Sequence, residues 1–159
     1  MNAAVLTVSD RVSRGEAEDR SGEALEELLR ADGYEVVRRV VPDEHDDIAA
    51  ALAALAADSG LVLTTGGTGL APRDVTPEAT LSVLDRAAPG IAEALRADSI
   101  ARTPHGLLSR GVAGVLGGAL VVNLPGSPGG CRDGYAVLRP ALPHALSLLA
   151  DEATAHRQT

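Results

Sequence analysis

Two carboxylates in this chain stand beside turns suited to holding phosphate. Asp74 lies in LVLTTGGTGLAPRDVTPEAT, from Leu61 to Thr80, soon after a glycine cluster, and Asp43 follows Pro42 in the short string PDE. Gly66, Gly67 and Gly69 can adopt positive φ and leave backbone N–H groups uncovered. Successive amides in such a turn make a nest for an anion. The hydroxyls of Thr64, Thr65 and Thr68 add donors. Mg2+ is typically held by one or two carboxylates plus substrate phosphates. The chemistry indicated is phosphate gripped by amides, with Asp43 and Asp74 placing a metal ion. A further loop, NLPGSPGG from Asn123, turns at Pro125-Gly126 and offers Ser127 as a helix cap and Pro128 as the first helical residue. Helix N-termini of this kind accept phosphate or carboxylate groups.

Each residue also has an ordinary structural use. Asp43, taken alone, is well placed as a helix N-cap. Asp74 can bond its own backbone as a turn residue, and Asp10, after Ser9, can cap a loop. The glycine cluster is not a Walker A loop, since no Lys-Ser/Thr follows, and Pro72 stands where a dinucleotide fingerprint needs its third glycine. Arg73 and Arg110 can add positive charge or face water, and Ser109 beside Arg110 can offer a donor. His45 falls in an exposed first turn, His105 in a surface or hinge segment, and Cys131 on a packed helix. Neither G-x-S-x-G nor HExxH occurs.

The elements that position these residues follow from hydrophobic periodicity. Strands are expected at Ala3 to Ser9, Tyr34 to Val41 and Leu61 to Thr65, with a polar loop from Asp10 to Arg20. A helix is expected from Ser21, ending at Gly33, and an Ala-rich helix after Pro42. Thr76 is expected to cap a helix with Pro77 at its first position, and another helix follows Pro89-Gly90. GVAGVLGGALVVNLP reads as a hairpin about Gly117-Gly118. The remainder reads as helix bent at Pro140 and Pro143, with fraying at its last few residues. Alternating strands and helices predict right-handed crossovers and a mainly parallel α/β sheet with one late antiparallel hairpin. Residues 1–159 are expected to form one domain. Ligands of such sheets sit beyond the carboxyl ends of the strands, where the loops after Ser9, Val41, Thr65 and Leu124 fall.

Composition excludes several function classes. The formal net charge is −8, which opposes broad nucleic-acid or acidic-membrane binding. All 14 cationic residues are Arg, so a Schiff-base lysine and a Ser-Lys dyad are out. A single Cys forms no intramolecular disulfide and no Cys-type zinc site. No signal peptide or membrane span is legible, and a cytoplasmic protein is expected.

VSDR, PDE, TTGGTG…PRDVTPEAT and LSR…NLPGSP occur in that order between Val8 and Pro128, within a resemblance that runs from about Val8 to Leu149. This combination closely resembles the MogA/MoaB family of molybdenum-cofactor biosynthesis proteins. The resemblance implies a three-layer α/β/α fold, assembled as homotrimers or sometimes hexamers. It implies transfer of AMP from MgATP to the terminal phosphate of molybdopterin, with release of pyrophosphate and handover to a downstream molybdate-insertion protein. It places essential aspartates at Asp43 and Asp74 and a pterin-contacting serine at Ser109. On this reading Ser9, Asp10, Thr65, Gly66, Gly67, Thr68, Gly69, Arg73, Gly126, Ser127 and Pro128 contact substrate phosphates. A non-catalytic molybdopterin carrier or scaffold is the alternative.

Overall fold

The computed structural model describes residues 1–156; the fraying expected at the last few residues falls largely outside them. Strands β1 (Asn2–Val8), β2 (Glu35–Val41), β3 (Leu61–Thr65), β4 (Arg86–Ala87), β5 (Ala113–Leu116) and β6 (Ala119–Leu124) form one sheet in the order β2-β1-β3-β6-β5-β4. The pairs β1–β2, β1–β3 and β3–β6 are parallel, whereas β5 runs antiparallel to both β6 and β4. β3 and β6 are buried along their whole length. That is why their sequences are continuous apolar runs rather than alternating ones.

Helices cover both faces. Ala3 and Val5 of β1 pack with Leu25 and Leu29 of α2 (Arg20–Ala31), Tyr135 of α6 (Pro128–Leu138) and Leu142 of α7 (Leu142–His156). Ala4 and Leu6, one residue out of phase, pack with Ile48 and Leu52 of α3 (His45–Asp58) and Ala79 of α4 (Thr76–Val83). The period-two alternation of β1 thus divides the core into two layers about the sheet, giving the three-layer architecture. Ile91 and Leu95 of α5 (Pro89–Arg102) join the first layer. With one Met, two Tyr and no Phe or Trp in the chain, leucine carries the packing. Leu25 and Leu29 are wholly buried, and truncating either to Ala would cost ~2–5 kcal/mol.

Two local expectations are corrected, and one short strand is added. The polar segment after Ser9 contains a short helix, α1 (Asp10–Ser13), because Ser9 Oγ accepts a hydrogen bond from the Val12 amide at 3.2 Å. Thr76 does not cap α4 but is its first residue; its hydroxyl donates instead to Gly66 O at 2.9 Å. The two-residue β4 closes the sheet beyond the hairpin, where Arg86 pairs with Val115. Gly33, at φ +88°, ends α2 as expected, and Pro143 lies in the first turn of α7, which follows a single 3-10 turn, Arg139–Ala141.

Candidate phosphate and metal site

The winding of the sheet reverses between β1 and β3, since β2 lies on one side of β1 and β3 on the other. Such a switch point opens a crevice at the carboxyl ends of the strands. The crevice is closed in by the loops after β3 and β6. Thr65 Oγ1 donates to Pro125 O at 2.7 Å, and Gly66 N donates to Leu124 O at 3.3 Å. Gly66 sits at φ +97°, and a Cβ there would lie 2.3 Å from Val8 O. Gly67 sits at φ +67°, and its Cβ would lie 2.2 Å from Thr76 Oγ1. Only glycine lets three strand ends approach this closely.

The glycine loop turns its carbonyls inward. Gly66 O accepts from the Thr76 hydroxyl and Gly67 O from the Thr76 amide at 3.1 Å. Thr68 O accepts from the Arg110 amide at 2.9 Å, and Gly69 O from Arg110 Nε at 2.8 Å. Gly66 spends its amide on Leu124, but among the described residues the amides of Gly67, Thr68 and Gly69 donate to no protein group. Four engaged carbonyls and three unspent amides are the pattern that an anion nest requires. Arg110 does not simply face water. It is partly buried, also donating through Nη2 to Asp74 O at 2.7 Å and pairing with Glu78.

Asp43 and Asp74 line one cavity of about 430 Å3, together with Ser9, Gly66, Gly67 and Gly126. Asp43 is not the cap of α3; Glu44 holds that position without a side-chain cap bond. Asp43 Oδ2 accepts from the Asp10 amide at 2.8 Å, and the Asp43 amide donates back to Asp10 Oδ1 at 3.0 Å. Its other oxygen faces Gly67, within 3.3 Å of the position a Cβ would take. Burial above all, and the nearby carboxylates of Asp10 and Asp74, push the Asp43 carboxyl above the ordinary range. Asp74 Oδ2 accepts from the Ala71 amide at 3.0 Å, the turn-residue use expected of it, while it still faces the cavity. Each carboxylate therefore has one oxygen tied to the protein and one outside these bonds. Among the described residues no three acidic, His or Cys side chains gather as a metal cluster. A cation that needs three or four protein ligands does not fit. One that takes two carboxylates and completes its shell with phosphate and water does.

Asp10 and Arg73 pair with each other beside Asp43. Arg73 Nε and Nη2 meet Asp10 Oδ2 and Oδ1 at 2.7 and 3.0 Å, and Nη2 also reaches Glu44 at 2.8 Å. The guanidinium hydrogen bond lowers the Asp10 carboxyl below its usual range and raises Arg73.

A second cavity, of about 380 Å3, opens on the other side of the same two loops. Thr68, Gly69, Ser109 and Ser127 line it, with Leu95 and Leu108 as apolar wall and Arg102 and His105 at its margin. Ser127 Oγ caps α6 by accepting from the Gly130 amide at 3.1 Å. Gly126 is exposed, and a Cβ on it would lie 3.3 Å from Gly66 Cα, so the two loops form the shared wall of both cavities. Thr65 and Pro128 stand on the carboxylate side. Cys131 is buried against Thr65, and burial raises its thiol to about 11.

Two supporting residues escape the sequence reading. Asp19 lines the carboxylate cavity, caps α2 through Gly22, accepts the Thr7 hydroxyl and pairs with Arg38 at 2.7 Å. Its position directly before a helical pattern was the available signal. Asn123 is buried and donates to the Thr64 and Thr80 hydroxyls, both at 3.0 Å, while its oxygen accepts from the Val112 amide at 3.1 Å. A polar side chain within the apolar run ALVVNL marked it. No helix among the described residues is long and apolar enough to cross a membrane.

Comparison with known proteins places the chain in a family. A family model described as "Probable molybdopterin binding domain" matches residues 4–144. The chain is 40% identical to a molybdopterin adenylyltransferase of Helicobacter pylori, covering 91% of this chain and 85% of the relative. A crystal structure of the molybdopterin biosynthesis enzyme MoaB from Thermus thermophilus superposes with a TM-score of 0.87 at 49% identity, over 93% of this chain and 95% of that one. Other relatives are longer: the chain spans 26% of the Drosophila melanogaster molybdenum cofactor synthesis protein cinnamon, at 38% identity over 98% of its own length. It spans less than half of two further curated relatives.

Proposed function

The chain belongs to the molybdopterin-binding family of molybdenum cofactor biosynthesis, and on that premise we propose that it is a nucleotidyltransferase that adenylylates molybdopterin. An oxygen of the pterin's terminal phosphate attacks the α-phosphorus of ATP. The new P–O bond forms as the bond from the α-phosphorus to the β-phosphate oxygen breaks, and pyrophosphate leaves. The substrate supplies the nucleophile, so no activated Ser, Cys or His is required of the protein. That agrees with a site made of amides, two aspartates and clasped arginines.

The observation that carries the reading is the shared wall. Gly67 lines a cavity with two half-free carboxylates, and its neighbours Thr68 and Gly69, whose amides are also unspent, line a cavity with a serine and an apolar side. Phosphates entering from both sides meet at one set of donors. The protein's work is to hold two anions in line and to place donors where charge builds. Asp43 and Asp74 would hold Mg2+ on the triphosphate; when bound, it offsets the repulsion between the two anions and polarises the phosphoryl oxygens. Ser109 would bond the pterin side.

Incubation with molybdopterin, ATP and Mg2+ tests this directly. Adenylylated pterin and stoichiometric pyrophosphate are expected. Tight pterin binding without pyrophosphate would replace the enzyme with a carrier. Homotrimeric assembly and transfer of the product to a molybdate-insertion protein complete the proposal; sedimentation showing only monomer at micromolar concentration would remove the trimer.

A further inference from the structure

Asp10 and Arg73 look at first like two more phosphate ligands, since both border the carboxylate site. Their hydrogen bonds tie them to each other and to the carboxylate-bearing segments. Both oxygens of Asp10 are taken: Oδ1 by the Asp43 amide and Arg73 Nη2, and Oδ2 by Arg73 Nε. Arg73 Nη2 also donates to Glu44, the residue after Asp43. Asp10 and Asp43 exchange backbone-to-carboxylate bonds at 2.8 and 3.0 Å, locking the ends of β1 and β2 together. Arg73 adjoins Asp74, so its bridge to Asp10 and Glu44 ties the segment carrying Asp74 to the segment carrying Asp43. Two carboxylates near one another repel, and Asp10 adds a third negative charge beside them. The guanidinium compensates that charge through its two-point hydrogen bond to the Asp10 carboxylate.

We infer that Asp10 and Arg73 act as one positioning clasp, which sets the separation and aim of Asp43 and Asp74 for a divalent cation. The inference rests on the adenylyltransferase reading for its metal.

The test is calorimetric binding of Mn2+ to the chain saturated with ATP, alongside binding of ATP in EDTA, for wild type, Asp10→Ala, Asp10→Asn, Arg73→Ala and the double variant. Asp10→Ala is expected to weaken Mn2+ at least tenfold while metal-free ATP affinity stays within twofold. Asp10→Asn keeps an acceptor for the Asp43 amide and is expected to recover to within threefold of wild type. Arg73→Ala weakens Mn2+ in the same direction, and the double variant is no worse than Asp10→Ala, as expected of residues acting as a unit. Urea unfolding of each variant checks that it is folded. Unchanged Mn2+ affinity in Asp10→Ala, additive effects in the double variant, or loss of metal-free ATP binding in Arg73→Ala each overturns the clasp. Wild type that binds no Mn2+ in the presence of ATP instead overturns the functional reading, and the clasp's role falls with it.

Discussion

Gly66→Ala tests how the phosphate loop is built. At φ +97° an L-residue carries a backbone penalty of ~1–2 kcal/mol relative to glycine. The added Cβ would lie 2.3 Å from Val8 O, far inside van der Waals contact. Val8 ends a buried strand paired on both sides, so its carbonyl has little room to withdraw, and overpacking of that kind costs about 1–3 kcal/mol. The sum is ~2–5 kcal/mol, a fall in melting temperature of roughly 4–20 °C for a chain of this size. Gly129 supplies the control: it lies in the first turn of α6 with nothing within 4 Å of its Cβ position, so Gly129→Ala should be neutral or gain about 0.5 kcal/mol. Urea unfolding with unchanged m-value reads both. Gly66→Ala within about 0.5 kcal/mol of wild type would refute the packing argument for this loop.

Other outcomes follow from the same contacts. Asn123→Leu leaves the Val112 amide and the Thr64 hydroxyl short of a partner in the core, costing ~2–4 kcal/mol in urea unfolding. Asp43→Asn should stabilise the metal-free fold at neutral pH while abolishing Mg2+-dependent turnover. A carboxyl raised by burial penalises the folded state above its folded pKa and not below its unfolded one. The gain should therefore shrink as pH falls through the carboxylate range; a loss at pH 7 would contradict it. Tyr135→Phe removes the hydrogen bond that does most to lower Asp32. That stabilisation is present above the ordinary carboxylate pKa and is lost as pH falls through the lowered one. The wild-type advantage should thus be largest near neutrality and fade in acid unfolding.

Much of the frame was readable because its signals are local. Buried runs such as LVLTT announce parallel strands, Ser127-Pro128 announces a helix start, and Gly117 a hairpin. The β4 pairing of Arg86 with Val115 is not legible, since a two-residue strand carries no periodicity and exists only through its neighbour. Candidate site residues were legible as types, and their partners were not. Asp43 lies beside a helix start, so capping and loop-tying compete for the same carboxylate, and the Asp10 amide, 33 residues away, takes it. Arg110 likewise finds three carbonyl and carboxylate partners from Gly69 to Glu78, contacts set by folding of the hairpin against the loop. Thr76 serves the loop rather than its helix for the same reason.

The most direct measurement is a crystal structure with a non-hydrolysable ATP analogue and Mn2+, read by anomalous scattering. The account predicts a peak about 2.0–2.3 Å from an oxygen of both Asp43 and Asp74, with triphosphate oxygens on the same ion and phosphate against the Gly67 to Gly69 amides. An ion bound elsewhere, or a triphosphate that leaves those amides untouched, would contradict it.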